Sequence, residues 1–179
     1  PWLFWLSDGL LGATGRGASW RWGLGLAALT AIQFAGGHAQ ISLLGLMAVG
    51  LYALAWPWQR HQPWNWRRLA CWLVALALGA MAAWPQLGPS LELNALSQRA
   101  SGLDPAFFTS YSFHPLLLAT YLSPFILGNP YPLGSVELMA YAGLLPLLLA
   151  WIALVRRKRV APSRPTWFWV GLAVLGAVL

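Results

Sequence analysis

Apolar runs broken by short polar or basic stretches divide this sequence from end to end. Ser19–Gly37, Gln40–Trp56, Leu69–Gly88 and Glu137–Val155 are each 17 to 20 residues long, which as helix gives roughly 25 to 30 Å, the thickness of a bilayer's hydrocarbon. Pro1–Gly12 reads as the end of one further span and Thr166–Leu179 as the start of another. The pattern predicts an all-α fold, a polytopic integral membrane helix bundle forming a single transmembrane domain over residues 1–179. With no Met at the start and apolar residues at both ends, the expectation is a piece of a longer chain. Asp8 interrupts the first run and no basic segment precedes it, which argues against a signal peptide.

Between the third and fourth runs lies a segment of 48 residues, Pro89–Val136. Its apolar stretch Pro115–Gly128 has only 14 residues, with Pro124 among them. That is too short to span, so it reads as interfacial or re-entrant. The expected fold is therefore a bundle with a long loop carrying short interfacial helices.

Composition agrees with this layout. The chain is 59% hydrophobic and 8% charged, against about 25% charged for soluble domains, and its mean hydropathy is +0.59. Most of its 13 Trp flank the apolar runs, as expected for rings seated among headgroups. Charge then assigns sides. Arg16 and Arg21 form one group, Arg60, Arg67 and Arg68 a second, and Arg156, Arg157, Lys158, Arg159 and Arg164 a third. Two spans separate successive groups, so all three fall on one side, which the positive-inside rule makes cytoplasmic. Residues 57–68 and 156–165 are thus cytoplasmic and 89–136 extracytoplasmic, with Arg99 the one cation of eleven outside. The net charge of +7 is then a topology signal, not a nucleic-acid surface, which would need a basic face on a soluble scaffold. A single cysteine, Cys71, excludes an intramolecular disulfide and a Cys-rich metal site.

Small residues recur every fourth position at Gly23, Ala27, Ala31 and Ala35, and again at Ala75, Gly79 and Ala83, stripes that let helix backbones approach closely. Candidate chemistry lies on the outer side. The turn Gly36-Gly37-His38-Ala39-Gln40 would face Glu92, Arg99, Asp104, Tyr111 and His114, with Glu137 at the far edge. Most have a plainer role as well: Asp104 as a helix N-cap before Pro105, Glu92 and Glu137 as first-turn carboxylates, Arg99 as a C-terminal cation, and His38 as a solvated residue of a Gly-rich turn. No pair has metal-ligand spacing, and neither a Ser-His-Asp grouping nor a phosphate-cradling Gly loop occurs.

Three stretches carry a resemblance: Gly36-Gly37-His38-Ala39-Gln40; Trp84-Pro85-Gln86-Leu87-Gly88-Pro89-Ser90-Leu91-Glu92 continuing through Arg99 to Tyr111-Ser112-Phe113-His114-Pro115; and Pro124-Phe125, Gly128-Asn129-Pro130, Glu137, Tyr141 and Gly143-Leu144-Leu145-Pro146-Leu147. Together they resemble the YfhO-like family of bacterial membrane proteins, itself similar to the GT-C class of polyprenyl-phosphate-sugar-dependent glycosyltransferases. Ala39 departs from the pattern, which often has proline there. The resemblance implies a multi-pass protein of the bacterial inner membrane. It would pass a sugar from a polyprenyl phosphate carrier to a cell-envelope acceptor at the extracytoplasmic face, with membrane lipid as its surroundings and no nucleic acid. Such transfer needs a carboxylate base on the acceptor hydroxyl and a cation, from a side chain or a divalent metal ion, on the leaving phosphate. The resemblance puts the principal base upstream of Pro1, leaving Glu92 and Glu137 as supporting carboxylates. It offers His38 and Arg99 for the lipid-linked phosphate, and Gln40 and Tyr141 for the sugar. Two other classes stay open: a transporter or flippase for a lipid-linked or small polar substrate, which would place ionisable groups within its spans, and a scaffolding membrane protein.

Overall fold

A computed structural model describes residues 1–97, 115–128, 141–156 and 166–178. Every regular element among them is helical: α1 Trp2–Gly12, α2 Arg16–Ala35, α3 Ala39–Arg60, α4 Trp66–Ala82, α5 Trp84–Ala95, a 3-10 helix Pro115–Tyr121, α6 Leu144–Val155 and α7 Thr166–Val178. The chain divides into two compact units, Pro1–Ser97 with Ser163–Leu179, and Gln98–Pro162.

In the first unit, α1 and α3 run one way and α2 and α4 the other. Leu11 meets Arg68 and Ser7 meets Trp72 along α1 and α4, while Phe4 packs on Tyr52 and Gly12 lies near Trp56 along α1 and α3. The core holds Leu3, Leu10, Leu11, Leu26, Val49, Tyr52, Ala53, Trp56, Trp72 and Ala75. Phe168 and Trp169 bring α7 onto it, their rings 5.8 Å from that of Tyr52. The small-residue stripes are used where α2 crosses α4. A Cβ on Gly79 would stand 2.5 Å from the Ala27 carbonyl oxygen and 2.6 Å from the Thr30 Cβ, so only glycine permits this backbone approach. Gly9 does the same for α1 and α2, where a side chain would run into the Trp22 indole.

Helix limits differ from the expected spans in three places. The second run was expected to end at Trp56, yet α3 continues through Pro57 to Arg60. Its last turn is held by side-chain bonds to α1, which offset the one backbone bond that proline forfeits. It stops at His61, whose φ of 50° is left-handed, a conformation His tolerates better than most residues. The third run, expected as one span to Gly88, ends at Ala82, and α5 leaves at 72°. Pro85 in the first turn of α5 explains the break, because a proline ring cannot continue the preceding helix. Glu92 consequently sits toward the end of α5, and not in a first turn as expected.

In the second unit, residues 141–143 are not helical, and α6 begins after Gly143, whose φ is 97°. Its 12 residues are shorter than the expected Glu137–Val155 run, of which Glu137 to Ala140 lie outside the described residues. Pro115–Tyr121 is a single 3-10 element followed by turns, in keeping with a stretch too short to span. Among the described residues, Gln40–Arg60 is the one helix long and apolar enough by itself to cross a membrane, with α4 and α5 passing the same test only as a bent pair.

Gly79→Leu should cost roughly 1–3 kcal/mol of stability by forcing α2 from α4. Gly50→Ala, in a helix and with nothing within 4 Å of the added carbon, should raise stability by about 0.5–1 kcal/mol. Thermal unfolding of the two variants beside the parent chain checks both signs.

Candidate functional site

Among the described residues of the first unit, a concentration of polar contacts lies at its basic end, centred on Asp8. One carboxylate oxygen accepts from the Tyr52 hydroxyl at 2.9 Å, the Trp56 Nε1 at 2.9 Å and the Arg60 Nε at 3.1 Å. The other pairs with an Arg60 terminal nitrogen. Tyr52, Trp56 and Arg60 are four residues apart on α3, so one helical face presents all three donors. Beside Asp8, Trp72 Nε1 donates to the fully buried Ser7 Oγ at 2.8 Å, and about a turn further on Arg68 donates to the Leu11 carbonyl at 3.0 Å, taking up an otherwise open helix end. A bidentate arginine neutralises Asp8 here and two neutral donors complete its shell. Those bonds make it a clamp between helices.

Beside the clamp, α2 and α4 part toward their N-terminal ends and leave a groove of about 750 Å³. Its walls are apolar, with Leu24, Ala27, Val74 and Leu78 among them, and Arg16, Arg67 and Arg68 stand at its mouth.

Of the residues expected to form a site, His38, Gln40, Glu92 and Tyr141 are among the described residues. His38 and Gln40 are exposed at the opposite end of the unit. There Gly37, at φ 76°, closes the turn, and the Gln33 amide and the Ser42 hydroxyl exchange bonds with each other's backbone carbonyls, both at 3.3 Å. Glu92 lies toward this same end, exposed on α5. Tyr141 is exposed in the second unit, ahead of α6. Arg99, Asp104, Tyr111, His114 and Glu137 lie outside the described residues. Among the described residues, no group of three or more His, Cys, Asp or Glu could hold a metal ion. Both the Asp8 clamp and the groove escaped the sequence reading. The signal for the clamp was there: a lone acid in an apolar run, and Tyr, Trp and Arg at fourfold spacing on a helix two segments away.

No protein-family model, curated protein or solved structure matches the chain.

Asp8→Ala should lower stability by about 2–3 kcal/mol, since it strands three donors at once. A double-mutant cycle of Asp8→Asn with Arg60→Gln should show a coupling of at least about 0.5 kcal/mol. Additive losses in denaturant titrations would mean that the pair holds nothing together.

Proposed function

We propose that the chain is a polytopic bundle of the bacterial inner membrane, acting as a glycosyltransferase of the GT-C kind that the YfhO-like resemblance implies. A sugar would leave a polyprenyl phosphate carrier for a cell-envelope acceptor at the extracytoplasmic face. The observation that carries the membrane part is the polarity of the first unit. Arg16 and Arg21 open α2, Arg60 closes α3, and Arg67 and Arg68 open α4, so these cations share one end, while His38, Gln40 and Glu92 belong to the other. The exposed flanks between carry large apolar side chains such as Ile32, Leu44, Met47, Leu51, Leu73 and Leu78, which suit lipid as solvent.

The sugar-transfer part rests on the resemblance. In it, Arg99 and His38 meet the lipid-linked phosphate, Gln40 and Tyr141 contact the sugar, Glu92 and Glu137 support, and the main base lies upstream. The transporter or flippase alternative draws on the 72° break between α4 and α5, a feature of transporters whose helices are interrupted at the substrate. Against it stands Asp8, the acidic residue within an apolar run, which is engaged by Arg60.

After Cys71→Ser, a cysteine placed at Ser101 should react with an impermeant thiol reagent applied outside the cell, and one at Ser163 should not. The reverse pattern would overturn the topology. In proteoliposomes supplied with a polyprenyl-phosphate sugar, Arg99→Ala should abolish transfer while insertion is unchanged. Retained transfer removes Arg99 from the site, and substrate translocation without transfer by the parent chain selects the transporter.

A further inference from the structure

We infer that the groove between α2 and α4 is a seat for one anionic phospholipid, its phosphate between Arg16 and Arg67 and one acyl chain along the apolar wall of Leu24, Val74 and Leu78. The reading rests on the membrane part of the proposed function and is independent of sugar transfer.

The groove has two chemistries in one cavity. Arg16, Arg67 and Arg68 line its end, at the starts of α2 and α4, and no carboxylate occurs among its lining residues. The nearby acid, Asp8, is already taken by Arg60. Arg68 spends one nitrogen on the Leu11 carbonyl, which holds it in place at the rim. Arg16 and Arg67 are exposed. Cations lining one end of an apolar slot match a ligand with a charged head and a hydrocarbon tail.

Dimensions agree. About 750 Å³ lies within the range of pockets that hold a drug-sized ligand, and the wall from Arg16 to Ala27 runs roughly 16 Å at 1.5 Å per residue, much of an acyl chain. The slot also has a cause in the fold: α2 and α4 are in backbone contact at Ala27 and Gly79, and diverge from there toward the arginines. By the proposed topology the mouth opens at the cytoplasmic leaflet, where anionic lipids attract basic clusters.

Cys71, the one cysteine of the chain, lines this groove and is exposed, so its alkylation reports occupancy without any added label. In the full chain purified in neutral detergent, phosphatidylglycerol should slow alkylation of Cys71 by N-ethylmaleimide several-fold, and phosphatidylcholine should not. Arg16→Gln with Arg67→Gln, both at exposed positions, should demand roughly ten- to thirtyfold more phosphatidylglycerol for the same protection. Val74→Trp, which keeps both arginines and fills the slot, should abolish the lipid-dependent difference.

Equal protection by the two lipids, or protection unchanged in the arginine double variant, overturns the proposal. Protection by millimolar inorganic phosphate alone would make this a free-anion site and overturn it equally. A chain that inserts with the expected sides yet shows no headgroup preference at Cys71 sinks the lipid seat and leaves the membrane reading standing.

Discussion

An ionised carboxylate inside an apolar helix is tolerable only where other groups supply the bonds that water would have made. Asp8 receives them from a single stripe of α3: Tyr52, Trp56 and Arg60. The requirement is directional. A rotation of α1 by one residue, about 100°, would carry the carboxylate away from all three donors. The clamp therefore sets both the rotation and the height of α1 against α3, and Ser7 with Trp72 repeats the constraint toward α4. Around this alignment the neighbouring rings find their places, Phe4 edge-on to Tyr52 at 5.4 Å and Trp169 against both.

What the clamp does at one end, glycine does where α2 meets the C-terminal part of α4. Backbone contact at Gly79 pins these helices at one crossing, while the C-terminal end of α1 and the Arg68 bond to Leu11 occupy the space near their starts. Two helices pinned at one crossing and separated at their starts must enclose a wedge, and the groove is that wedge. Its arginines were put there by the loops that open α2 and α4. The same charge distribution that orders the two ends of the unit also furnishes the mouth of its cavity.

The helices were legible in the sequence because a run of apolar residues bounded by polar ones has few other outcomes; α1, α2, α3 and α7 match their expected runs to within a few residues. Two of the misreadings involve proline. Pro57 lies inside α3 because bonds from Trp56 and Arg60 to Asp8 hold the last turn, an effect that no local rule contains. Pro85 broke a run that hydropathy alone had carried to Gly88, and with it moved Glu92 from an expected first turn to the end of α5. Of the expected polar site, His38, Gln40 and Glu92 fall toward one end of the first unit, but nothing local could say whether they meet, since their approach depends on the direction in which α5 leaves α4.

By itself the sequence determined the helical class, the sorting of cations between loops and Gly79 as a place where helices can touch, because each follows from a property of a run or a single residue. Tertiary structure alone decided that Asp8 is a clamp, that Arg60 belongs to α3 as its partner, and that Arg16 and Arg67 share the mouth of one groove. Those pairings join residues about fifty positions apart. Their physical cause is the mutual rotation of packed helices, which no single segment encodes.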